Sequence, residues 1–225
     1  MLAMAAPAAH AWEPRAAEFG VAKETNVPIT MSDGVRLFAD VLRPAQPDGS
    51  PAPGRFPVIL TQTPYNKSSP QLNFENDYLV QRGYVQVIAD VRGTGGSEGM
   101  WDSFGEREQR DGYELAQWVH SNERPWSDGR IGLFGASYGG INQIFTAAQH
   151  PDGLKAIFPI IPAADTYRDI TASGGQLDTA FIPSWLGLVT ALGLLPPTYA
   201  GSDPITAAQV LAAHSNGLLA FQANT

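Results

Sequence analysis

Cysteine is absent from the 225 residues, so disulfides, thiolate metal sites and a cysteine nucleophile are all excluded. The missing thiols leave the compartment open, because a chain this long can bury a core without covalent staples. Positive charge is also scarce: 14 Lys and Arg stand against 22 Asp and Glu, a formal net charge of −8. That balance lacks the cationic stripe that neutralises phosphates, so no nucleic-acid partner is expected. No apolar run reaches the ~20 residues needed to span a bilayer. Residues 181–195 come nearest and are interrupted by Pro183, Gly187 and Gly193, so they read as a packed or substrate-facing helix. No repeat with a period of 20–50 residues is present, which excludes a solenoid. What the chain does have is 44% apolar and only 16% charged residues, the composition of a globular domain.

The two ends read differently from the middle. Residues 1–11, MLAMAAPAAHA, are small, apolar and uncharged and close on Ala9-His10-Ala11, a pattern that a signal peptidase accepts. Residues 1–24 therefore read as the remnant of an export signal, which places the protein outside the cytoplasm. A flexible Ala-rich tail on a cytoplasmic protein is the alternative. At the other end, residues 221–225 follow an Ala/Leu helical stretch without a capping Gly or Pro, as if cut inside an element.

Residues 26–31 and 35–42 are β candidates joined through Ser32-Asp33-Gly34, and Asp-Gly between such runs signals a hairpin with both turn positions at positive φ. Residues 43–56 hold four Pro and two Gly and form a surface loop. From there strands at 57–60, 84–89, 131–134 and 156–161 alternate with helices at 72–82, 106–120 and 140–149. Gly83 stands where a helix-ending residue belongs. Such alternation requires right-handed crossovers and a mostly parallel sheet covered on both faces, here entered by an antiparallel hairpin. The fold class is α/β. Residues 25–162 form this core, and residues 163–225, with only Gly/Pro-broken helical stretches, begin a helical layer or cap.

Gly135-Ala136-Ser137-Tyr138-Gly139 matches G-x-S-x-G, with a strand running into it and a helix out of it. That setting is a nucleophile elbow, in which a strained turn lifts Ser137 Oγ above the C-terminal edge of the sheet. Chain segments then pass too close at positions −2 and +2 for a Cβ, hence Gly135 and Gly139. The helix behind the nucleophile offers free N–H groups to the charge that develops on a carbonyl oxygen. A second donor normally comes from the loop after an earlier strand. In that loop Tyr65 offers a phenolic O–H, with a Tyr packed on the sheet edge as the alternative. The run from Asp90 to Gly99 misses a dinucleotide fingerprint, since position 98 is Glu and the helix starts only near Glu106. Asp90 and Arg92 read instead as ties for a tight loop beside the elbow.

The motifs TPYNK, ADVRGTGGSEG and DGYELAQWVHSNERPWSDGRIGLFGASYGG occur here in order. Over residues 25–170 the chain resembles the CocE/NonD and Xaa-Pro dipeptidyl-peptidase family of serine hydrolases. The resemblance implies an α/β-hydrolase fold, with Ser137 as nucleophile, the Tyr138 backbone N–H as oxyanion donor and the Tyr65 hydroxyl as the second donor. It implies small ester, amide or peptide substrates, and no cofactor or metal. It also implies a triad Asp and His, and a jelly-roll domain, beyond Thr225. The order Ser…Asp…His is formally open to Asp165, Asp169, Asp178 or Asp203 with His214, but 163–225 shows no strands to carry them. His214, His150 and His120 read as helix-end residues, and His10 lies in the tail. No acidic residue directly follows Tyr138, which disfavours recognition of a substrate ammonium. A non-catalytic module that keeps the elbow as inherited architecture is the competing reading. A nucleotide-dependent oxidoreductase would rest on Gly93–Gly99 alone.

Overall fold

The computed structural model describes residues 13–69, 72 and 74–223, with side chains to 216. Of the segment read as an export-signal remnant, residues 1–24, residues 1–12 lie outside the described residues. Six strands form one sheet: β1 (Gly20–Thr30), β2 (Arg36–Ala45), β3 (Phe56–Thr63), β4 (Val85–Asp90), β5 (Ser127–Ala136) and β6 (Leu154–Ile160). Their spatial order is β1-β2-β4-β3-β5-β6. β1 and β2 pair antiparallel, β2 meets β4 antiparallel, and the remaining pairs are parallel. The hairpin thus enters a parallel sheet, as the sequence pattern requires.

Burial on both faces follows from the period of two along each strand. On β4, Val87 and Ala89 join Val58, Leu60, Ile131 and Leu133 on one face, where Leu115, Ala116 and Val119 cover them. Ile88, between them, turns to the other face and meets Leu42 and Val80. The covering residues come from α2 (Glu106–His120), whose bounds agree with its apolar spacing. Val80 belongs to α1 (Asp77–Val80).

Several boundaries differ from expectation for local reasons. β1 starts at Gly20, inside the stretch read as tail, because its partner β2 continues to Ala45. The hairpin connection has only Gly34 at positive φ (86°), and its N–H donates to Met31 O at 2.9 Å. This is a type I-like turn closed by glycine rather than a two-residue turn with two such positions. The helix expected over 72–82 shrinks to α1. The buried Gln86 amide binds Phe74 O at 2.8 Å and Asn76 N at 2.7 Å, which ties up the backbone that would have formed the first turns.

Beyond β6 come a π turn (Tyr167–Thr171), a 3-10 turn (Ser173–Gly175), α4 (Phe181–Gly193) and α5 (Pro204–Ala223). α4 is unbroken despite Pro183, which sits in the first turn where no intrahelical N–H is needed. Asp203 accepts from Thr206 N at 3.0 Å and Pro204 opens α5, a favourable start. His214 is not at the end of its own helix. From mid-α5 its two ring nitrogens meet Gly193 O at 2.7 Å and Ser97 O at 2.8 Å, so it closes the C-terminus of α4 and pins the cap to the core. Among the described residues no helix is long and apolar enough to cross a membrane.

The Asp90–Gly99 loop is a tight tertiary junction. Arg92 binds Asp111 on α2 through two nitrogens at 2.7 and 2.8 Å and reaches Asp33 in the hairpin turn at 2.9 Å. Gly96 N–H donates to Asp90 at 2.9 Å, and a Cβ at Gly95 would lie 2.3 Å from that carboxylate. The amide that a pyrophosphate would need is therefore spent inside the loop. Arg92→Met leaves the buried Asp111 with Arg107 alone, and a loss of about 3 kcal/mol in urea unfolding is expected.

Candidate active site

The sequence bends sharply where β5 ends. Ser137 has φ 55° and ψ −120°, a sparsely populated conformation for a non-glycine residue that costs of order 1–3 kcal/mol. It is held there by its N–H, which donates to Ile160 O on β6 at 2.9 Å. The glycines around it have a direct steric cause. A Cβ on Gly135 would approach Gly139 O to 2.7 Å, and one on Gly139 would come 3.1 Å from Gln62 O. Gly140, which the motif does not name, is equally constrained, since its Cβ would lie 2.7 Å from Ile160 O.

The helix behind the serine, α3 (Tyr138–Ala148), begins two residues earlier than its sequence pattern suggests. Tyr138 is its first residue, so its N–H has no intrahelical acceptor, and no other acceptor holds it among the described residues. Ser137 Oγ does not cap the helix. An N–H is thereby left unspent beside the Ser137 hydroxyl, at the positive end of a helix dipole.

Tyr65 completes the constellation. Its hydroxyl lies 3.4 Å from Ser137 Oγ and accepts from Trp185 Nε1 at 3.1 Å. With the indole donating to its oxygen, the phenolic proton is available to Ser137 or to a substrate oxygen. Its loop is pinned on both sides. Tyr65 N–H donates to Thr63 Oγ1 at 3.0 Å, and Lys67 N–H donates to Asp90 at 2.6 Å. The buried Lys67 ammonium lies 2.9 Å from Asp40 and donates to Asn26 Oδ1 at 2.8 Å. Burial pushes the Asp90 carboxyl up to about 6, with Lys67 and the Gly96 and Lys67 N–H groups pulling the other way.

A cleft of about 200 Å³ opens over Ser137, walled by Phe104, Ile141, Ile170, Phe181 and Trp185. Trp185 stacks parallel to Phe181 and meets Trp101 edge-on at 5.5 Å. No His, Asp or Glu lines this cleft among the described residues. His214 and His120 both have ring nitrogens on backbone carbonyls, the latter on Gly129 O at 2.9 Å, and His150 is an exposed helix-ending residue at φ 52°.

The motif did not reveal what stands behind Tyr138. Its ring is buried against Phe104, with centroids 3.9 Å apart, and its hydroxyl donates to Glu108 on α2. Burial pushes the phenol well above its ordinary range and Glu108 up to about 7. The signal was present but faint: Glu108 lies in phase with Leu115 and Val119 on the apolar side of α2. Trp185, expected as apolar surface, also holds Tyr65 through its N–H.

Comparison with known proteins matches this geometry to a family. Residues 33–224 match the family described as X-Pro dipeptidyl-peptidase (S15 family). The chain is 36% identical over 172 residues to the cocaine esterase of Rhodococcus sp. strain MB1 Bresler, covering 73% of this chain and 28% of that protein. It is 28% identical over 139 residues to the Xaa-Pro dipeptidyl-peptidase of Lactobacillus helveticus, covering 56% of this chain and 16% of the relative. A CocE/NonD family hydrolase of Staphylococcus aureus superposes with a TM-score of 0.68 at 28% identity, over 75% of this chain and 33% of its own. The chain thus spans a third or less of the length of these proteins. The family match covers most of the chain and the superposed hydrolase shares its fold, so the chain belongs to the X-Pro dipeptidyl-peptidase (S15) family and has the α/β-hydrolase fold.

Proposed function

We propose that this stretch carries the nucleophile and oxyanion hole of a serine hydrolase acting on acyl esters or amides. Ser137 Oγ gives its proton to a general base as it attacks the carbonyl carbon, and the carbonyl π pair moves to oxygen. Tyr138 N–H and Tyr65 O–H receive that oxyanion. Collapse expels the alcohol or amine, which takes the proton from the base, and leaves the acyl group on Oγ for water to release. The base and its carboxylate partner come from outside the described residues, because the imidazoles at 120 and 214 are engaged elsewhere and none lines the cleft. The observation that carries the reading is the Tyr65 hydroxyl, oriented by Trp185 and 3.4 Å from Ser137 Oγ.

The cleft favours an apolar acyl or leaving group of about ring size, since an apolar cavity of ~150 Å³ already accommodates benzene. It offers no carboxylate to a substrate ammonium among the described residues, so a neutral ester suits it better than a free amino-terminal peptide. The competing reading, a binding module that only inherits the elbow, gives no purpose to the Ser137 hydroxyl beside an unspent Tyr138 N–H.

In a chain extended to the length of its relatives, a fluorophosphonate probe labels Ser137, and Ser137→Ala abolishes the labelling. Tyr65→Phe slows it by about 10²-fold. The 225 residues alone hydrolyse p-nitrophenyl acetate no faster than their Ser137→Ala variant, and serine-dependent turnover by them would overturn the placement of the base. Trp185→Ala slows labelling by an aryl phosphonate more than by a methyl phosphonate, as competition kinetics would show. Equal slowing would remove the indole from the acyl wall.

A further inference from the structure

Glu108 is 4% exposed, and one of its oxygens, Oε2, has no hydrogen-bond partner. The surrounding donors fix where a proton on this carboxyl must sit. Tyr138 O accepts from Trp101 Nε1 at 3.1 Å and from Phe104 N–H at 3.3 Å, so its own hydrogen is directed to Glu108 Oε1. A proton carried by Glu108 therefore sits on Oε2. That oxygen belongs to a residue lining a cavity too narrow for water, together with Gln62, Asn142 and Thr146. Asn142 Oδ1 is likewise buried and without a partner, while its Nδ2 donates to Gln62 O at 3.2 Å. Two buried acceptors without partners, on residues that line one dry cavity, are costly, and a proton on Oε2 directed at Asn142 Oδ1 would satisfy both.

We propose that Glu108 is held as the neutral acid and positions the oxyanion hole, accepting from Tyr138 and donating to Asn142. This rests on the proposed role of Tyr138 and Tyr65. Through Asn142 the link continues to Gln62 on β3, three residues before Tyr65, so one chain of hydrogen bonds joins the elements that bear both oxyanion donors. Charges nearby act in the same direction. Asp111 on its own helix and Asp102 in the preceding loop disfavour ionisation, whereas Arg92 and Arg107 are engaged by Asp111. The groups facing it from β3 and α3 are Gln62, Asn142, Thr146 and the Tyr138 phenol. Burial, the largest influence, sets the carboxyl at about 7 against an ordinary 4.5. A raised value means that the stabilisation is complete below the unfolded value and is lost as pH rises through about 7.

The test is infrared difference spectroscopy of the chain against Glu108→Gln. A protonated-carboxyl stretch is expected near pH ~6, missing from the variant and fading by about pH 9. The melting temperature of wild type should fall relative to Glu108→Gln as pH rises from about 4.5 to about 7, and level off above that. In the extended chain, Glu108→Leu slows phosphonate labelling of Ser137 about tenfold, and Glu108→Gln, which can still accept and donate, restores most of it. No band in the folded protein, or Gln behaving like Leu, overturns the inference. A band without any labelling of Ser137 overturns the proposed function, and the positioning role with it.

Discussion

The backbone bend at Ser137 is the constraint around which the site is built. A non-glycine residue remains in that conformation only when its surroundings over-determine it. Here the surroundings are the Ser137 N–H to Ile160 bond and three glycines whose missing Cβ atoms let β5, α3, β3 and β6 converge. The bend does two things at once. It turns Oγ away from the helix it precedes, and it makes Tyr138 the first helical residue, with its N–H unspent. The Ser137 hydroxyl and the Tyr138 N–H are both placed by one local distortion, so neither can be moved separately from the sheet.

A polar framework then brings the Tyr65 hydroxyl to that bend. Tyr65 stands on a loop that Lys67 ties to Asp90 and Asp40, and Asp90 in turn closes the glycine loop after β4. Arg92 extends the framework to α2 and to the hairpin turn. These charges are buried, and buried charges are tolerated only when paired and hydrogen-bonded. Their role is positional: together with the apolar cluster around Tyr65 and Val91, they hold two loops from neighbouring strands above the sheet edge.

The cap contributes from the other side. α4 lays Trp185 and Phe181 over the cleft, and His214 on α5 anchors α4 through Gly193 O and the core through Ser97 O. The indole N–H of Trp185 restricts which way the Tyr65 proton can point. The wall of the cleft and the Tyr65 hydroxyl are thereby coupled through one side chain.

Much of this was legible along the chain. Alternating strand and helix patterns, Asp-Gly at the hairpin and G-x-S-x-G between a strand and a helix are local signals with local causes. They sufficed for the fold class, for the strained bend at Ser137, and for Asp90 and Arg92 as loop ties. The length of α1 was not legible, because Gln86, ten residues beyond Asn76, competes for its backbone. Nor was Gly140, whose constraint comes from β6, nor the extent of β1, which its partner strand decides. Glu108 looked like any acid on an amphipathic helix, and His214 like the end of one. The sequence by itself determined where the chain bends and which hydroxyl the bend presents, since those depend on neighbours within a few residues. Only the tertiary structure decided what each polar group meets, because hydrogen-bond partners such as Trp185 and Tyr65 lie 120 residues apart and are chosen by packing.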